Sequence, residues 1–190
     1  MRSLIYLVTR WLSRFKPLNA LAEQLLGKGE PGFRGNFKDG KEEGPWEFYH
    51  ANGQLEFRGN YHNGQRHGPW EMFHDNGQLK VRGNSRHGRP DGEFERYDEV
   101  GRLFERLHYR DGTVDGPYEK FHENGQLAEH GHYREGRPEG LWYFYYTSGQ
   151  MKKRGRFVDR RRVGVWEFFD ESGKLQEQRS FTADDTGAIY

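Results

Sequence analysis

Nine histidines, 29 acidic side chains and 30 basic ones are the reactive groups this chain has to work with; it contains no cysteine. Imidazoles hold zinc when three or four ligands converge. His50, His74 and His122 recur at multiples of 24 residues, so the same period that generates them keeps them apart. His130 and His132 alternate and would share one face of a strand, but two ligands without a third make a poor zinc site. General acid–base work needs a carboxylate in a dry pocket with a displaced pKa. Glu47, Glu71, Glu95, Glu119 and Glu167 also follow the period, and Arg58, Arg82, Arg106 and His130 are placed to face the first four, with Gln178 facing the last. The densest cationic run is Arg160, Arg161 and Arg162, with Lys152, Lys153, Arg154 and Arg156 before it. Beside Trp142, Tyr143, Tyr145 and Tyr146 it has the composition of a phosphate or single-strand site, working by charge and stacking. The other reading is a solvated loop whose turn glycine has been lost. The net charge of +1 favours that second reading, and no nucleic-acid partner is expected.

No nucleophile elbow, P-loop or dinucleotide fingerprint occurs. Without cysteine, disulfides and thiolate metal sites are excluded. The expectation is therefore no catalytic residue, no metal and no cofactor, and a protein that is not an enzyme.

The elements that carry these groups come from one repeated unit. Residues 44–67 read GPWEFYHANGQLEFRGNYHNGQRH and residues 68–91 read GPWEMFHDNGQLKVRGNSRHGRPD. Leading glycines fall at Gly44, Gly68, Gly92, Gly116, Gly140 and Gly164. A second series is Gly53, Gly77, Gly101, Gly125, Gly149 and Gly173. A third is Gly40, Gly64, Gly88, Gly112 and Gly136, failing at Arg160. A fixed period of this length marks a repeat array, in which each unit buries its apolar face only against its neighbours. Only 33% of residues are hydrophobic and nearly half of those are aromatic, which suits a thin sheet with partly covered faces.

Within a unit, Trp46 to His50 is aromatic, the stretch from Leu55 to Tyr61 alternates, and Asn52-Gly53 lies between them. Asn-Gly between two such runs is a strong hairpin signal. A turn at those two residues places Trp46 opposite Gly59, Glu47 opposite Arg58 and Phe48 opposite Phe57. One face then carries Trp46, Phe48, Leu55, Phe57 and Tyr61, and the other Glu47, Tyr49, Glu56 and Arg58. Gly59 would leave room for the Trp46 indole, and Glu47 would pair with Arg58. Ser85 and Leu107 break the pattern, standing where an aromatic and a glycine are expected. Gly64 and Gly68 bracket the second connection. Gly29, Phe33, Gly35, Phe37 and Gly40 make a partial leading unit.

The pattern Gly44, Trp46, Tyr49, Asn52, Gly53, Leu55, Gly59, Tyr61 and Gly64 resembles MORN repeats, and is most similar to the MORN-variant repeats of the bacterial YwqK-family antitoxins. It lacks the Y-E-G-x-W opening of the commoner MORN unit. The resemblance implies an all-β repeat: an elongated, twisted, single-layer antiparallel β-meander of about six 24-residue hairpin units plus a partial one. It also implies a non-catalytic, protein-binding scaffold of the antitoxin or immunity type, with a toxin or effector as its protein partner.

Three regions follow. Residues 29–181 are the array and residues 182–190 a polar tail. Residues 1–28 read as an amphipathic α-helical segment, with Leu4, Leu7, Val8, Trp11, Leu12 and Phe15 at helical spacing and Arg10 and Arg14 opposite. Its apolar run is too short to span a membrane. It reads either as a cap on the sheet edge or, through Leu4, Val8, Arg10, Trp11, Arg14 and Phe15, as a helix docked on a membrane surface or partner. The expected location is cytoplasmic, peripheral at the inner membrane in the second case. Tyr49, Phe73, Tyr97, Phe121, Tyr145 and Phe169 form an aromatic stripe opposite the tryptophan face, and are the expected protein-binding residues.

Overall fold

The computed structural model describes residues 32–182. The helical segment expected at residues 1–28, with Leu4, Val8, Arg10, Trp11, Arg14 and Phe15, lies outside them. The described residues form one antiparallel sheet. Its first half contains β1 (Phe33–Lys38), β2 (Lys41–Tyr49), β3 (Leu55–His62), β4 (Gln65–Phe73), β5 (Leu79–Arg86), β6 (Arg89–Pro90) and β7 (Gly92–Tyr97). Its second half contains β8 (Leu103–Arg110), β9 (Thr113–Phe121), β10 (Leu127–Arg134), β11 (Arg137–Tyr145), β12 (Met151–Val158), β13 (Arg161–Phe169) and β14 (Leu175–Phe181). Each strand pairs with the next in sequence; the short β6 pairs only with β5, and β7 takes over from it. The partial leading unit is β1, where Phe33 pairs with Phe48 as Phe57 does with Met72.

The expected hairpin register holds: Trp46 pairs with Gly59, Glu47 with Arg58 and Phe48 with Phe57. The turn closing it differs from expectation. His50 N–H donates to Gln54 O at 2.8 Å and Gly53 N–H donates back to His50 O at 2.9 Å. That is a three-residue loop with Gly53 in the left-handed region at φ 83°. Asn52 keeps negative φ because its side chain is committed: Oδ1 accepts the Gln54 N–H at 3.0 Å. The two-residue turn, with both residues at positive φ, is the other Asn-Gly, Asn63-Gly64 (φ 51° and 79°). The longer loop adds a bulge that pairs Leu55 with Tyr49. Leu55 therefore does not join Phe48 and Tyr61 against the tryptophan face.

The core is one face of this sheet. Trp46, Phe57, Trp70, Phe94, Leu107, Tyr118, Trp142, Phe157 and Trp166 are buried, Trp166 completely. Neighbouring rings meet at 4.6 to 6.4 Å, many edge-to-face, the arrangement aromatic quadrupoles prefer. Arg66 spreads over Phe57 and Trp70, and Arg162 over Trp166 and Phe181, so long cationic stems replace a second layer.

Glycine makes this packing fit, but the indoles of Trp46, Trp142 and Trp166 cover a different neighbour from the one expected. Trp46 lies over Gly35 of the preceding strand, not over Gly59: a Cβ on Gly35 would sit 2.2 Å from the indole. Trp142 covers Gly131 and Trp166 covers Gly155 in the same way. Each of these tryptophan-bearing strands has two neighbours, and the side chain leans toward the earlier one. The two irregular residues now have reasons. Leu107 fills the glycine position where its partner is Tyr118, a smaller ring than indole. Ser85 Oγ accepts the buried Trp70 indole N–H at 2.8 Å.

Candidate binding face

The opposite face carries a ladder one residue wide. Following the register strand by strand, its members are Arg34, Glu47, Arg58, Glu71, Arg82, Glu95, Arg106, Glu119, His130, Tyr143, Arg154, Glu167 and Gln178. Charge alternates from Arg34 to Glu119. The ion pairs, however, do not close within the hairpin as Glu47 with Arg58, except at Arg106, which bonds both Glu95 of its own hairpin and Glu119. Arg34 reaches Glu47 at 3.5 Å, and Arg58 bonds Glu71 of the following unit. Arg34, Arg58, Arg82 and Arg154 each lean toward the glutamate 13 residues on.

Glu95 is the centre of the ladder and is buried. It accepts from Arg82, from Arg106 at 3.1 Å and from the Tyr97 hydroxyl at 2.8 Å. Burial pushes its carboxyl pKa up, but those three donors outweigh it and hold the group below the ordinary carboxylate value.

The six stripe residues flank the ladder on the same face, all half-buried. Their rings are already engaged. Arg58, Arg82, Arg106 and Arg154 lie over Phe73, Tyr97, Phe121 and Phe169 at 5.5 to 5.9 Å. The Tyr49 hydroxyl donates to Glu47 at 2.6 Å. Tyr145 stacks on His130, with centroids 5.7 Å apart. Each ring of the stripe thus touches a ladder residue of the unit before it or beside it.

The hairpin loops lock to one another along the sheet edge. His50 Nε2 lies 3.0 Å from Phe73 O, His74 Nε2 2.9 Å from Tyr97 O, and His122 Nε2 3.0 Å from Tyr145 O. Asn52, Asn76 and Asn124 each donate to a carbonyl 23 residues ahead at 2.6 Å. These histidines fasten units together and stay apart, and among the described residues no three acidic or imidazole groups gather as a metal site would require.

Sequence proximity misplaced the cationic run. Strand alternation divides it between the two faces. Lys153 lies over Phe144 at 4.4 Å and Arg162 over Trp166, both on the tryptophan face. Arg154 bonds Glu167 at 2.5 Å in the ladder. The period-two pattern of the strand was the signal that could have separated them.

Sequence reasoning also missed where the ladder breaks. At His130 and Tyr143 the charges give way to two rings stacked at 4.7 Å with planes 13° apart. In the adjoining row, Pro45 and Pro69 of the early units are replaced by Leu141 and Val165, exposed at 56% and 55%. Arg156 is paired in register with Leu141 and with Val163. Near the other end, the ladder face holds an open groove of about 590 Å³ lined by Pro45, Glu47, Arg58, Asn60, Pro69 and Glu71.

The model of the MORN repeat variant family matches residues 42–63, 66–87, 114–135, 138–159 and 162–183. These blocks span more than half of the chain. It belongs to the MORN repeat variant family. The gap between the second and third blocks is where β6 and β7 split a strand and Leu107 replaces a glycine. No curated protein matches this MORN-variant chain in sequence. Among solved structures, one titled crystal structure of TarM is similar over 67% of this chain and 25% of its own, with 10% identity and a TM-score of 0.34. One titled GtfA/B complex bound to UDP and GlcNAc is similar over 60% of this chain and 22% of its own, with 14% identity and a TM-score of 0.27. The chain thus spans about a quarter of the length of these proteins, and neither bears on what it does.

Proposed function

We propose that this MORN-variant scaffold is a non-catalytic protein-binding module of the antitoxin or immunity type, occluding a toxin or effector with its ladder face. One observation carries the reading: Tyr49, Phe73, Tyr97, Phe121, Tyr145 and Phe169 run in a single half-buried row, each in contact with a residue of the ladder. Aromatic and arginine side chains dominate interface hot spots, and rings ordered before binding lose little entropy on contact. A polar flank of arginine and glutamate sets partner register and on-rate.

The test is co-expression with the product of a neighbouring gene. The full chain should co-purify with that product and relieve its toxicity. Tyr97→Ala combined with Tyr145→Ala should abolish the relief while the melting transition stays cooperative. Relief that persists in that folded variant rejects the stripe as the binding row.

A further inference from the structure

We infer that the β11–β13 end of the ladder face is an interaction surface for an acidic segment of a partner polypeptide, seated between Leu141, Arg156 and Val165 at the point where the charge ladder lapses. This rests on the scaffold reading above and adds where the partner is anchored and what its chemistry is.

The argument starts from pairing. Up to Glu119 every ladder arginine has a carboxylate as register neighbour on each side where a strand is described. Arg154 has Glu167 on one side and Tyr143 on the other. In the next row Arg156 has only Leu141 and Val163 as register neighbours, and no ion pair or side-chain hydrogen bond satisfies its guanidinium within the described residues. The corresponding early residues are Asn60 and Asn84, flanked by Pro45 and Pro69. An uncharged asparagine flanked by proline has been replaced by an exposed cation, with the exposed aliphatic side chains of Leu141 and Val165 on the two flanking strands.

The regional charge agrees. Residues 137–169 contain eight Lys and Arg against three Asp and Glu, whereas the equivalent strands at residues 41–73 contain three against five. Lys153 and Arg162 spend their charge on the opposite face, over Phe144 and Trp166. What the ladder face offers is therefore one open guanidinium, a second occupied on one side only, and two aliphatic side chains. A carboxylate of the partner would take the vacant side of Arg156 and lie close to Arg154. Apolar groups beside it would cover Leu141 and Val165. Charge complementarity of this kind, around an apolar contact, fits a polypeptide with acidic and apolar side chains interleaved.

The experiment uses the full chain and a fluorescein-labelled random copolymer of glutamate and tyrosine, read by fluorescence anisotropy. Binding is expected to weaken as salt rises. Arg156→Glu should weaken it by about tenfold or more, since it turns an attractive contact into a repulsive one. Leu141→Ser with Val165→Ser should weaken it by roughly fivefold through lost apolar contact. Arg34→Glu, a charge reversal of the same ladder face at its far end, should change it less than about twofold. Circular dichroism should show all variants folded, and Arg156→Gln, with an intermediate loss, covers a folding failure of Arg156→Glu. The inference is overturned if the copolymer does not bind, or if Arg34→Glu weakens it as much as Arg156→Glu. It is also overturned if a single-stranded oligothymidylate binds more tightly and is the ligand lost in Arg156→Glu, which would make this a nucleic-acid site. Concentration-dependent self-association lost in Arg156→Glu would overturn it in favour of a second copy. Any of these leaves the stripe test standing, because that test reads relief of toxicity through Tyr97 and Tyr145.

Discussion

Strands β2–β4 and β11–β13 are four repeats apart and nearly superimposable in sequence logic, yet they present different chemistry to the same side. Both carry the tryptophan layer on one face, with Trp46 and Trp70 in one and Trp142 and Trp166 in the other, all buried. On the ladder face the first region alternates glutamate and arginine, edged by Pro45 and Pro69. The second opens on Tyr143, stacked on His130 of β10, and is edged by Leu141 and Val165. The layer that holds the sheet together is constant, and the layer facing outward is free to vary. In a ribbon one sheet thick, the constant packing and the varied chemistry thus lie on opposite faces.

The largest expected effect tests the constant layer. Trp70→Ala and Trp166→Ala should each cost about 3–5 kcal/mol, the usual loss for truncating a buried indole. Urea titration of both variants measures this, and a difference above about 2 kcal/mol would break the equivalence of the two regions.

Next is the centre of the intact ladder. Glu95→Gln removes a buried carboxylate that takes three donors, and should destabilise by roughly 1.5–3 kcal/mol at neutral pH. Because the folded-state pKa of Glu95 is depressed, its contribution is present above the unfolded carboxyl pKa of about 4.3 and disappears as pH falls through the lower folded value. The difference between wild type and Glu95→Gln should therefore shrink on the acid side of pH 4 or so. A constant difference across a pH series of denaturant titrations would mean the ladder charge is not what holds Glu95.

A smaller effect belongs to the basic end. Arg160 occupies the left-handed turn position, φ 68°, that Gly40, Gly64, Gly88, Gly112 and Gly136 fill elsewhere. Arg160→Gly should raise stability by about 1 kcal/mol, relieving a conformation that side chains adopt at a cost. Calorimetry would show this as a higher melting temperature.

The smallest change is also the most discriminating. His130→Arg with Tyr143→Glu continues the alternation through the break, and should add only a few tenths to about 1 kcal/mol, as exposed cross-strand pairs do. The same variant should weaken the glutamate–tyrosine copolymer, because it returns a carboxylate to the vacant side of Arg154. Unchanged binding would show that the break itself has no part in recognition.

Much of this was legible in the sequence. The period fixed the number of units, and alternation around Trp46, Glu47 and Phe48 fixed the hairpin register residue by residue. What a repeat does not encode is which of two neighbours a side chain chooses. Trp46 could lie on Gly35 or Gly59, and Arg58 could bond Glu47 or Glu71; only the twist and lean of packed strands decide. Two Asn-Gly pairs in the first full unit likewise left the turn types unassigned, since the Asx bond of Asn52 and the double left-handed geometry of Asn63-Gly64 read alike as letters. The candidate stripe was visible as a periodic row of aromatics. The lapse at Tyr143, Leu141 and Val165 was visible only as departures from a consensus, and their placement around one arginine required three strands to be laid side by side.

The forward reach of the loops, His50 to Phe73 and Asn52 to Asp75, has a consequence for how such a protein changes size. These loop fastenings span no more than one unit, so a block of 24 residues can be inserted or excised and the cut ends still find matching partners. Each block lengthens the sheet by two strand spacings, about 9.5 Å before curvature. The distance between two contact points on the ribbon is thus set in fixed increments, and tandem duplication works on it as a ruler.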